Sequence, residues 1–169
     1  MTRGFTLLEL LVSIAVMALV LGLSIPNFSS LSTQTQMTSL ASSLQSFLYQ
    51  AKSEAIFRNQ DLWAHFIMPE SHKQQSEWLI ELTDSERQGG TVLMTFSGAP
   101  YRQIKLSPDF SANQIKFDGV RGKIKNGSIE FHVIHHTQKS LKLVTSYGAS
   151  RIRICGKNGS AYGYPNCAS

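Results

Sequence analysis

The sequence predicts an α+β fold, with one long N-terminal helix (a transmembrane half plus an amphipathic half) packed on a mostly antiparallel β head. Three observations predict it. An apolar tract runs from Phe5 to Ile25. Apolar residues then recur at spacings of three and four from Met37 to Ala55, the period of a helix with one buried face. After Asn59 the period changes to two, the mark of half-buried strands.

The apolar tract is 21 residues long. That is about 31 Å of helix at ~1.5 Å per residue, enough to cross a hydrocarbon core. Arg3 precedes it, so the N-terminus is expected in the cytoplasm and the bulk outside. The tract is long for a secretory signal, and no small-residue cleavage site follows it. Glu9 interrupts it. A carboxylate inside a membrane helix needs a partner or a function, unless it lies near the bilayer surface and snorkels.

Pro26 is expected to kink or break the helix, and Ser29 to Ser39 to form a looser segment. Helical patterning then resumes through Met37, Leu40, Ala41, Leu44, Phe47, Leu48, Ala51 and Ala55. Strands are expected at Leu62–Met68, Glu77–Leu82, Thr91–Phe96, Gln103–Leu106, Gln114–Phe117, Ser128–Ile134, Ser140–Thr145 and Ser150–Ile154. Gly89-Gly90, Ser97-Gly98, Asp118-Gly119 and Asn126-Gly127 mark turns, and His135 to Gln138 reads as a hairpin loop.

Composition narrows the class. Hydrophobic residues make up 42% and charged residues 16%, which fits a folded protein with a membrane segment and not a disordered chain. Residues 1–100 carry five Lys/Arg and eight Asp/Glu, whereas residues 101–169 carry eleven and three. A split of this size points to a basic surface for an anionic partner, or to a solvated basic face without one. In an exported domain the two cysteines, Cys155 and Cys167, are expected to form one disulfide; two free thiols are the alternative.

The N-terminal run Arg3-Gly4-Phe5-Thr6-Leu7-Leu8-Glu9 resembles the processing motif of type IV prepilins and type II secretion pseudopilins. The resemblance implies cleavage of a leader (residues 1–4) between Gly4 and Phe5 by a prepilin peptidase, and N-methylation of Phe5. It implies that Glu9 pairs with the terminal amine of a neighbouring subunit, so that other pilins are partners. Residues 5–28 would be the transmembrane and filament-packing helix, and residues 29–169 a periplasmic head. The subunit would stand in the bacterial inner membrane as a single-pass protein and then in a pilus or pseudopilus. The run Ala51 to Gln60, with Lys52 in place of the usual Arg, resembles the GspH/FimT-like group of minor pilins. So does the later order of Phe117 with Gly119, then Gly127, Leu141–Thr145 and Gly148. The implied fold is type IV pilin-like.

The segment Gly148 to Cys155 carries the functional expectation. In a strand, Ile152 and Ile154 would face the core and Arg151 and Arg153 would face out together. They would stand about 6.6 Å apart, on the order of a phosphate spacing. Arginine forks bind phosphate oxygens well, and Lys157, Tyr162 and Tyr164 follow in the next loop. The segment resembles the Gly-Arg-x-Arg element of FimT-like minor pilins, although Ala149-Ser150 separate Gly148 from Arg151. The resemblance implies DNA binding for uptake in natural transformation, through Arg151, Arg153 and Lys157. Lys116, Arg121, Lys123, Lys125, Lys139 and Lys142 are candidates to extend the patch. A charged edge strand that blocks aggregation is the alternative. Two other readings need no nucleic acid: a type II secretion pseudopilin, and a structural subunit that primes pilus assembly.

An enzyme is not expected. The chain has no Gly-rich phosphate loop, nucleophile elbow or paired-carboxylate motif. His132, His135 and His136 lack supporting ligands and read as hairpin surface residues, so neither a metal nor a cofactor is expected. Trp63 and Trp78 read as core or sheet-surface packing.

Overall fold

The computed structural model describes residues 6–68, 78–134 and 136–167, the side chains of 23–30 and 136 excepted. The chain divides into two compact units, residues 1–35 and 36–169. Helix α1 (Leu7–Arg58) contributes to both.

In the first unit, Thr6 begins the helix as its cap. The Glu9 amide donates to the Thr6 hydroxyl and the Thr6 carbonyl, the first half of a capping box. The Glu9 carboxylate therefore sits in the first turn, where the helix dipole favours negative charge. From Leu7 to Leu21 the large apolar side chains are all exposed, at 52 to 78%. Helix continues across position 26, so of the expected kink or break at Pro26 the break does not occur; a proline removes only one bond of the ladder. The looser segment expected at Ser29–Ser39 is also helix. Its hydroxyls need no water where they bond back one turn, as Thr35 does to the Leu31 carbonyl.

In the second unit, two four-stranded antiparallel sheets pack with the last turns of α1. The first sheet has the order β3-β2-β1-β5, and the second β4-β6-β7-β8. The strands are β1 (Leu62–Ile67), β2 (Leu79–Thr83), β3 (Val92–Ser97), β4 (Ile104–Asp109), β5 (Gln114–Phe117), β6 (Gly127–Val133), β7 (His136–Ser146) and β8 (Arg151–Gly156). One correction concerns the hairpin before β7. His136 already pairs with Val133, so Thr137 and Gln138 belong to the strand and not to a loop. Tight pairing satisfies backbone groups that a longer loop would leave to water. His135 lies outside the described residues.

The core is one cluster. Met37, Leu40, Ala41, Leu44, Leu48, Ala51 and Ala55 are all fully buried, as the spacing predicts. They meet Leu62, Ala64, Ile80 and Leu82 of the first sheet and Ile129, Phe131, Leu141 and Leu143 of the second. Phe47, Trp78, Phe96 and Tyr101 form an aromatic group, with ring centroids 5.5 to 6.4 Å apart.

Gly119 sets where the β5–β6 connection lies. A Cβ there would collide with the Gln60 backbone just past α1. Gly119→Ala is expected to cost about 1–3 kcal/mol, because backbone on both sides must move. Gly148→Ala, with open space around it, should be near neutral. Urea denaturation of the two variants side by side checks this.

Candidate nucleic-acid interface

β8 is an edge strand, yet its edge is covered. Gln45 and Tyr49 of α1 both donate to the Ile152 carbonyl. Further along, the Gly156 amide donates to the Pro165 carbonyl, and the Cys167 amide to the Gly156 carbonyl. Cys155 and Cys167 are disulfide-bonded and hold the C-terminal segment there.

Ile152 and Ile154 are buried and Arg151 and Arg153 share the opposite face, as strand alternation predicts. The three predicted cations nevertheless differ. Arg153 is partly buried and donates through Nη2 to the Cys167 carbonyl at 3.1 Å. Lys157 forms an ion pair with Glu130 at 2.7 Å, reaching across β7 to β6. Arg151 is exposed, and its side chain has no hydrogen bond or ion pair among the described residues. Register places Lys142 directly between Glu130 and Cys155. The outer face of the second sheet thus mixes Lys105, Lys142, Arg153 and Lys157 with Glu130 and Asp109, and is only mildly basic.

A second basic region lies at the end of the head beside Arg151. The β5–β6 connection and the β7–β8 turn are tied together there. The Tyr147 amide donates to Asn126 Oδ1, and the Ser150 hydroxyl to the Gly122 carbonyl. Lys52 of α1 donates to the Ser150 carbonyl. Asp118 caps its own turn by accepting from the Val120 and Arg121 amides. Between this end and the outer face of the first sheet is an open groove of about 310 Å³, lined by Trp63, Tyr147, Lys116, Lys123, Lys125, Gln114, Glu86 and Asp118. Lys116 Nζ stands 5.5 Å from the Trp63 ring centroid and Lys123 Nζ 4.7 Å from that of Tyr147. Exposed contacts of this kind are worth about 0.5–1 kcal/mol, so the Lys123 ammonium exchanges readily, whereas Lys116 is also held by Asp61.

Asp61 anchors the groove's outer wall. It accepts from Lys116 at 2.7 Å and from the Gly119 amide at 3.0 Å. The Lys116 hydrogen bond, then the Gly119 one, hold the Asp61 carboxyl below its ordinary range against an opposing effect of burial. The Asp61 hydrogen bond likewise raises the Lys116 ammonium. Among the described residues no three His, Cys, Asp or Glu side chains converge on a metal site.

Sequence reasoning anticipated the outward face shared by Arg151 and Arg153, and the disulfide. It missed that Lys157 and Arg153 are engaged, and it missed the groove. Trp63 does pack on the sheet surface, but its cross-strand neighbour Lys116 comes from a strand far along the chain.

At the other end of the chain, Gly4 and Phe5 lie outside the described residues. Among the described residues no helix is long and apolar enough to cross a membrane. The tract Phe5–Ile25 extends beyond the described side chains at both ends.

A bare apolar helix ahead of a helix-and-two-sheet head is the architecture of pilin-type subunits. Residues 40–149 match the family model described as type II transport protein GspH. Residues 1–25 match the prokaryotic N-terminal methylation motif. The chain belongs to the GspH family. No curated protein sequence matches it. Among solved structures, the type IV minor pilin FimU of Pseudomonas aeruginosa (strain PAO1) shares the fold, with a TM-score of 0.56 at 16% identity over 73% of this chain and 91% of that one. The minor pseudopilin EpsH from the type 2 secretion system of Vibrio cholerae gives 0.54 at 11%, over 72% and 97%.

Two predictions follow the geometry. The disulfide closes a separation of 12 residues, so Cys155→Ala/Cys167→Ala should lose about 3 kcal/mol in chemical denaturation. For Asp61, a depressed folded pKa means that its stabilisation is present above the ordinary value of 3.8 and lost as pH falls through the folded value. Asp61→Asn should therefore be less stable than wild type by up to about 1 kcal/mol near neutral pH, and the two should converge in acid below that value. Urea titrations at both pH values read the difference.

Proposed function

We propose that this chain is a membrane-anchored pilus subunit whose head binds DNA through phosphates. Prepilin peptidase cleaves it between Gly4 and Phe5, and the new Phe5 amine is N-methylated. Residues 5–28 hold it in the inner membrane with its head in the periplasm, and then pack it into a filament with other pilins. The observation that carries this reading is the helix from Leu7 to Leu21, apolar and exposed all round. Such a surface requires lipid or neighbouring helices to cover it. Glu9, in the first turn, pairs there with the terminal amine of an adjacent subunit, since a carboxylate in an apolar filament core is stable only when partnered.

The DNA reading is supported by the exposed guanidinium of Arg151, which has no partner among the described residues, and by the excess of cations after residue 100. In it, Arg151 is the leading contact and Arg153 and Lys157 are secondary, being engaged already. Contact through phosphates gives little sequence preference and suits uptake in natural transformation. A pseudopilin of a secretion machine is the second reading, favoured by the type II transport description of the matching family.

The deciding measurement is a DNA titration of the full chain in neutral detergent at low and moderate salt. Arg151→Ala should weaken binding most and reduce the salt slope by about one, with smaller effects for Arg153→Ala and Lys157→Ala. If wild type fails to bind at low salt, the DNA reading is wrong; loss of protein secretion on deletion would then identify a pseudopilin.

A further inference from the structure

We infer that the groove between Trp63 and Tyr147 is a base-stacking subsite for single-stranded nucleic acid. The inference rests on the reading that the head binds DNA, and it adds which form is preferred and which residues choose it. Two aromatic rings border one groove, each with a lysine ammonium over its face. Stacking on such rings is sequence-tolerant because every base offers a π-face. An incoming base takes the ring face. The Lys123 it displaces from Tyr147 stays within reach of the adjoining phosphate, while Lys116 beside Trp63 stays paired with Asp61. Lys125 lines the same groove, its ammonium donating to the Ser111 carbonyl at 2.8 Å.

Continuity with the predicted contact supports this. Ser146 pairs with Arg151, and Tyr147 is the next residue of the turn. Arg151 therefore stands at the base of the turn that carries Tyr147. The groove also contains carboxylates. Asp118 is committed to two backbone amides, but Glu86 faces the groove from the β2–β3 connection. Like-charge repulsion keeps the phosphates on the Lys123 and Lys125 side. A duplex gains little from such a site, because its base faces are already stacked inside the helix.

The test uses the full chain in neutral detergent with oligo-dT and with a duplex of equal length. Oligo-dT should quench Trp63 emission; Trp78 is buried and should not respond. Tyr147→Ala should weaken oligo-dT binding about tenfold and leave duplex binding within about twofold, while Tyr147→Phe retains the wild-type preference. Arg151→Ala should weaken both forms. Thermal melting of each variant confirms that it is folded. If both forms bind and folded Tyr147→Ala keeps full affinity for oligo-dT, the stacking subsite is refuted and the phosphate reading stands. If neither form binds at low salt, the phosphate reading fails and the subsite with it.

Discussion

The fully buried stripe along α1, from Met37 to Ala55, is the constraint on which the head depends. Its residues belong to a single core with the inner faces of both sheets. Each buried leucine contributes about 1.5–3 kcal/mol, and the alanines keep the stripe flat enough for two sheets to approach one helix. The two sheets are not hydrogen-bonded into one. They are held as a unit by this shared helix and its core, and by connections such as Asp118 to Gly122. Gly119 belongs to the same economy of space, since it admits the Gln60 backbone where a side chain would not fit.

That helix also decides what the last strand can do. By donating to the Ile152 carbonyl, Gln45 and Tyr49 close half of the β8 edge. The C-terminal segment, held by Cys155–Cys167, closes the other half. With both ends of its edge occupied, β8 offers little room for a partner strand. The tethering has a second effect. It supplies the Cys167 carbonyl that engages Arg153, while the strand's register brings Lys157 to Glu130. One segment therefore organises the surface and reduces its free charge.

The cations of the second half of the chain separate into two populations. Those on the outer face of the second sheet are interleaved with Glu130 and Asp109. Those at the end of the head sit with aromatic rings and with the exposed Arg151. An anionic polymer gains most where positive charge is unpaired and where a second interaction adds to it. At the end of the head Arg151 is exposed and Lys123 stands over a ring, while Lys116 is paired with Asp61.

The sequence by itself determined the elements and their faces. Periods of 3.6 and 2 are local properties, so the stripe on α1, the alternation of Ile152 and Ile154 with Arg151 and Arg153, and the positions of all eight strands were legible within a few residues. The N-terminal motif was legible because Gly4, Phe5 and Glu9 stand in register with an apolar tract. Local pattern misled where hydroxyl-rich residues suggested loops, since Thr35 can satisfy its hydroxyl inside the helix. It also misled at His136, where strand pairing extended further than side-chain polarity implied. Only the tertiary structure decided which charges remain free. Glu130 and Lys157, Asp61 and Lys116, and Trp63 and Tyr147 are brought together by pairing between distant strands and by the packing of two turns. No sequence spacing encodes those meetings, because they depend on strand order, which is set by the burial of the whole core.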